Sequence, residues 1–71
     1  MTVYEWHTAN KRARCRMAGA VLTVAQKPGS PRWVWTMVPD EQAERERSGE
    51  RATWSAAQEA AELAYAAWRN V

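Results

Sequence analysis

From Arg12 to Met17 the chain alternates without a break, with Arg12, Arg14 and Arg16 one way and Ala13, Cys15 and Met17 the other. A period of two belongs to a strand buried on one face. Ala18-Gly19 follows, and Gly19 supplies the positive φ that a two-residue hairpin turn demands. Folding the chain back there sets Met17 opposite Ala20, Cys15 opposite Leu22 and Ala13 opposite Val24. The other face then pairs Arg16 with Val21, Arg14 with Thr23 and Arg12 with Ala25. A slip of one residue would turn the arginines inward, so the pattern specifies its own register.

A second turn is as plain. Lys27-Pro-Gly-Ser-Pro-Arg32 concentrates the residues that break strands. Carrying the pairing through it sets Val24 opposite Trp35 and Leu22 opposite Met37. The inner face becomes Ala13, Cys15, Met17, Leu22, Val24, Trp33, Trp35 and Met37. The outer face becomes Arg12, Arg14, Arg16, Val21, Thr23, Val34, Thr36 and Val38. Strands are therefore expected over 12–17, 20–26 and 32–38, with Pro39 ending the last. A further short strand is expected over 3–7, with Tyr4 and Trp6 on one face, before a turn at Thr8–Lys11 in which Asn10 is able to take a left-handed conformation.

Thr53 to Asn70 contains no Gly or Pro and is rich in Ala, Glu, Gln and Leu, so a helix is expected over 54–70. Thr53 or Ser55 can cap it, and Ser55 with Gln58 has capping-box spacing. Trp54, Ala57, Ala61, Ala64, Trp68 and Val71 form an apolar stripe, widened by Ala60 and Tyr65. A stripe of alanine between two tryptophans suits close packing on a flat sheet. The expected fold is α+β: a two-layer sandwich, with a three- to four-stranded antiparallel sheet covered on one face by the C-terminal helix. Residues 1–71 fit one domain. Trp33, Trp35, Trp54 and Trp68 are expected in its core, and Trp6 is the tryptophan that can lie outside. Between strand and helix, nine of the twelve residues 40–51 are charged or amide. That stretch reads as a charged loop, 39–52, or as a helical turn or two capped by Asp40, with Glu41 and Arg45 at i, i+4.

Catalytic chemistry has little to work with. His7, the single histidine, shares a strand face with Glu5, and Cys15, the single cysteine, falls in the expected core. Neither a zinc site nor a disulfide can be built from one of each, and Gly19, Gly29 and Gly49 are isolated turn residues rather than a phosphate loop. No enzyme, cofactor or metal is expected. The start of the chain has no signal-peptide pattern and no apolar run approaches a membrane span, so a cytoplasmic setting is expected, without a membrane partner.

Binding is better provided for. Net charge is only +2, but four of the ten basic groups (Lys11, Arg12, Arg14 and Arg16) fall within six positions. Arg12, Arg14 and Arg16 stand roughly 7 Å apart along one strand face. That spacing suits successive phosphates of a nucleic acid, with Thr23 and Thr36 as neutral hydrogen-bonding neighbours, although no aromatic platform accompanies it. It equally suits a strand edge guarded by charge, or an acidic protein surface. Val21, Val34 and Val38 beside the threonines make the same face a candidate protein-docking surface, or the contact between two copies of the chain in a homodimer. Glu44 and Glu46 in the charged stretch are a second candidate contact, though Arg45, Arg47 and Arg51 break up any phosphate mimicry.

Taken together, Trp33-Val-Trp35, the charged stretch with Ser48-Gly49, and Thr53-Trp-Ser-Ala-Ala57 opening an Ala-rich helix carry a resemblance. Over about residues 12–70, this layout resembles small proteins of bacteriophages and other mobile elements: a hairpin ending in Trp-x-Trp, a glycine-containing loop, then Thr-x-x-x-Ala-x-x-x-Ala. Among these, the anti-CRISPR inhibitors are similar in size and in lacking catalytic residues. The resemblance implies a non-enzymatic inhibitor that docks on a Cas protein or ribonucleoprotein complex in a bacterial host, blocking nucleic-acid loading or nuclease recruitment. The double-stranded-RNA-binding fold also ends in three strands and a helix, but its leading helix and lysine-rich last helix have no counterpart here.

Overall fold

A computed structural model describes residues 3–70. Five strands, β1 (His7–Ala9), β2 (Arg12–Met17), β3 (Ala20–Gln26), β4 (Trp33–Pro39) and β5 (Arg47–Arg51), form one antiparallel sheet in chain order. A 3-10 turn, Ala43–Arg45, precedes β5, and the helix α1 (Trp54–Arg69) packs across β3, β4 and β5. The fold is α+β, as expected, with five strands rather than the three or four anticipated.

The registers of β2 with β3 and of β3 with β4 are those read from the alternation: Cys15 faces Leu22, which faces Met37, and Val24 faces Trp35. Cys15, Leu22, Val24 and Met37 are fully buried on the helix side, with Ala13, Ala20 and Trp35 beside them. Gly19 alone supplies the positive φ of the β2–β3 turn (81°). It also lets Trp68 lie over the turn, since a Cβ there would sit 3.2 Å from the indole edge.

Thr53 caps α1 through its Oγ1, which accepts from the Ala56 amide at 3.2 Å. Ser55 lies inside the first turn, so it is not the cap. The buried positions are Ala57, Ala60, Ala61 and Tyr65, while Trp54, Ala64 and Trp68 are half-buried. The buried stripe is thus rotated towards Ala60 and Tyr65, and Val71 lies outside the described residues. Three methyl-sized side chains bring the helix backbone close to the sheet. Tyr65 then fixes its far half by donating its hydroxyl proton to the Ala18 carbonyl at 2.9 Å. At the near end Trp54 meets Trp33, ring centroids 4.9 Å apart.

Five expectations need correction. The first strand occupies His7–Ala9 rather than 3–7, and the residue with positive φ in the following turn is Lys11 (55°), not Asn10. Tyr4 and Trp6 instead belong to a leg that crosses to the helix, where Trp6 Nε1 donates to Glu62 Oε2 at 2.9 Å and Tyr4 meets Tyr65 edge-on. Trp6 is therefore half-buried against the core, not outside. The charged stretch is not a loop throughout. Arg47–Arg51 pairs along β4, with Gly49 opposite Trp35. Gly49 makes this possible, because a Cβ there would stand 2.8 Å from Trp35 Nε1. Asp40, finally, caps no helical turn: its amide donates to the Gly19 carbonyl at 2.9 Å, and its carboxylate serves Arg16.

Candidate functional site

The helix covers one face of the sheet and leaves the other bare. The registers line that bare face up in rungs: Ala9, Arg12, Ala25, Val34 and Glu50; then His7, Arg14, Thr23, Thr36 and Ser48. Arg16, Val21 and Val38 form a third rung. Seven residues singled out from the sequence, Arg12, Arg14, Arg16, Val21, Thr23, Val34 and Thr36, are thereby brought onto one surface. Glu44 and Glu46 are not. They are exposed in and just after the 3-10 turn, beyond the end of the paired strands, and make no ion pair among the described residues.

The arginine row is not at an edge along its whole length. β1 pairs with β2 from Arg12 to Arg14, so those two charges do not guard unpaired backbone, whereas Arg16 lies beyond β1 and has only β3 beside it. Nor are its three members equivalent. Arg16 forks onto Asp40, with Nη1 to Oδ1 at 3.0 Å and Nη2 to Oδ2 at 2.8 Å. At the opposite end of the face Glu50 takes Lys27 and Arg32, each at 3.4 Å. Arg12 and Arg14 are exposed and have no ion-pair partner among the described residues. Positive charge available to a ligand is thus concentrated on two guanidinium groups of β2, towards the β1 side of the face.

Beside them lies a shallow hollow of about 600 Å³. His7, Ala9, Arg12 and Arg14 line it from the β1 and β2 side; Val21, Thr23, Ala25 and Val38 line it from the β3 and β4 side. Small side chains at Ala9 and Ala25 leave the depression, and the longer arginines rise around it. Thr23 and Thr36 hydrogen-bond to each other across the strands, which engages one hydroxyl proton and leaves the other available. The surface is apolar at its floor and cationic at one wall. His7, Ala9, Ala25 and Asp40 are the contributors that sequence reasoning did not assign to the site. Extending the β3–β4 ladder by one residue beyond Pro39 would have found Asp40 beside the β2–β3 turn.

The groups capable of covalent chemistry lie elsewhere. Cys15 is buried on the helix side, its Sγ 3.4 Å from Met17 Sδ. Burial pushes its thiol above the ordinary value, with the Glu62 and Glu5 carboxylates adding and a backbone hydrogen bond at Glu5 opposing. That keeps sulfur in its unreactive protonated form. Burial likewise raises the Tyr4 hydroxyl, with Glu62 the next cause. Among the described residues no three of His, Cys, Asp and Glu gather as a metal site would need, and no helix is long and apolar enough to cross a membrane. Comparison with models of protein families, with curated proteins and with solved structures finds no match to this chain.

Proposed function

We propose that the protein is a non-catalytic binding module that acts by docking its bare sheet face on a bacterial protein or ribonucleoprotein. The observation that carries this reading is the pairing of an uncovered, half-apolar sheet face with two unneutralised arginines along one side of it. Val21, Val34 and Val38 provide area that water solvates poorly, and arginine beside such area is a recurrent element of protein interfaces. The free charge selects an acidic partner. Anti-CRISPR inhibition is the concrete version, drawn from the resemblance of the hairpin, charged segment and helix to small mobile-element proteins.

The test is binding to purified, nuclease-treated CRISPR effector complexes, followed by their target cleavage. The expected result is a stoichiometric complex and loss of cleavage, both abolished by Arg14→Glu. That substitution lies on an exposed position, so the thermal midpoint should stay within a few degrees of the parent. A variant that still binds normally would show the bare face to be the wrong surface. Nucleic-acid binding is the competing outcome. With Arg16 engaged by Asp40, it would rest on Arg12 and Arg14, giving a log–log salt dependence with a slope of about −2 or shallower.

A further inference from the structure

The bare face is specific about the order of its contacts. Along β2, Arg12 and Arg14 project freely, two residues apart and so roughly 7 Å from each other. Carboxylates at i and i+2 of an extended polypeptide have the same separation. At the next step along the face Arg16 is held in its two-pronged contact with Asp40 and shares its rung with Val21 and Val38. The hollow connects these positions, since Arg12, Arg14, Val21 and Val38 all line it.

Resting on the docking reading above, we propose that the hollow receives an extended segment of the partner protein with the pattern acid-x-acid-x-aliphatic. The two acids meet Arg12 and Arg14, and the aliphatic side chain lies on Val21 and Val38. Charge complementarity commits the occupant to an acidic polypeptide. A nucleic-acid strand matches the spacing, but His7 on the β1 side is the one ring among the lining residues, and a floor of alanine and valine suits an aliphatic side chain better than a row of stacked bases. A third acid is disfavoured because it would meet valines and the Asp40 carboxylate rather than a free cation.

Short blocked peptides containing Glu-Ser-Glu-Ser-Leu, its reverse, and Glu-Ser-Glu-Ser-Glu test this, titrated into isotope-labelled protein with amide shifts followed by NMR. One of the two leucine peptides should bind about fivefold more tightly than the triple-acid peptide. Its shifts should centre on β2 and β3, and Arg14→Glu should weaken it about tenfold or more. Asp40→Asn, which frees Arg16, should reverse the preference in favour of three acids. The proposal fails if the triple-acid peptide binds as well as either leucine peptide to the parent protein, or if Asp40→Asn leaves the order unchanged. It also fails if shifts fall on α1 or β5, or if only an oligothymidine control binds the hollow. Should no peptide bind while the effector complex remains sensitive to Arg14→Glu, the pattern is wrong and the docking face stands. If that complex is also absent, both readings fall.

Discussion

Gly49 and Trp35 show how little side chain a position needs in order to be indispensable. The Trp35 indole is nearly buried and lies directly under the β5 backbone, and its N–H has no hydrogen-bond partner among the described residues. A buried donor without a partner costs about 1–3 kcal/mol. Its persistence means that the packing of the ring outweighs that cost. Gly49→Ala would drive a methyl group into Nε1, Cε2 and Cζ2 of this ring, and should destabilise the fold by about 1–3 kcal/mol. Trp35→Phe removes all three of those atoms. In urea denaturation, the double substitution should therefore cost less than the sum of the two single ones. Simple additivity would show that the methyl group is accommodated elsewhere. None of this was legible in the sequence, where Ser48-Gly49 reads as a loop. The signal for strand was a missing side chain, and periodicity cannot register a residue that has none.

At the scale of elements, legibility followed the apolar side chains. β2 and β3 were readable to the residue, and β4 to within one residue at each end (33–39 rather than 32–38), because each alternates between core and solvent, and each register confirms its neighbour's. α1 was readable as a helix, but its buried stripe turned towards Ala60 and Tyr65, because the Tyr65 hydroxyl had a carbonyl to reach at Ala18. β1 was misplaced because Tyr4 and Trp6, which alternate like strand residues, spend their aromatic rings on the helix. β5 contributes no apolar side chain to the core and relies on backbone pairing with β4 and contact with α1. Strand pairing without side-chain burial is the weakest kind of tertiary attachment. Native-state hydrogen exchange should find the protected amides of β5 opening at least about a hundredfold more readily than those of β3. Equal protection would mean that β5 opens only with the whole sheet. Of the candidate site, the outward-facing arginines, valines and threonines were legible for the same reason as the core, being the other half of one alternation. The ion pairs that neutralise Arg16 at one end and engage Glu50 at the other were not, because they join segments far apart in the chain.

For the molecule as a whole, the arrangement sets a surplus of positive charge on a bare face, bounded at both ends by ion pairs. Two such faces brought together would oppose like charges, so the surface is poorly suited to a second copy of the chain. Sedimentation at about 0.1 mM in low salt should give a monomer near 8.1 kDa. A stable dimer disrupted by Arg14→Glu would assign the face to self-association instead. The order of the strands also carries a consequence in time. Because every strand pairs with the one before it in the chain, each hairpin can close as soon as it leaves the ribosome, with little loop entropy to overcome. The lid over Leu22, Trp35 and Met37 is made after the strands it covers. During synthesis the sheet must therefore wait with its greasy side open until α1 emerges, and the short interval before that helix closes is the period when a nascent chain is most exposed to aggregation.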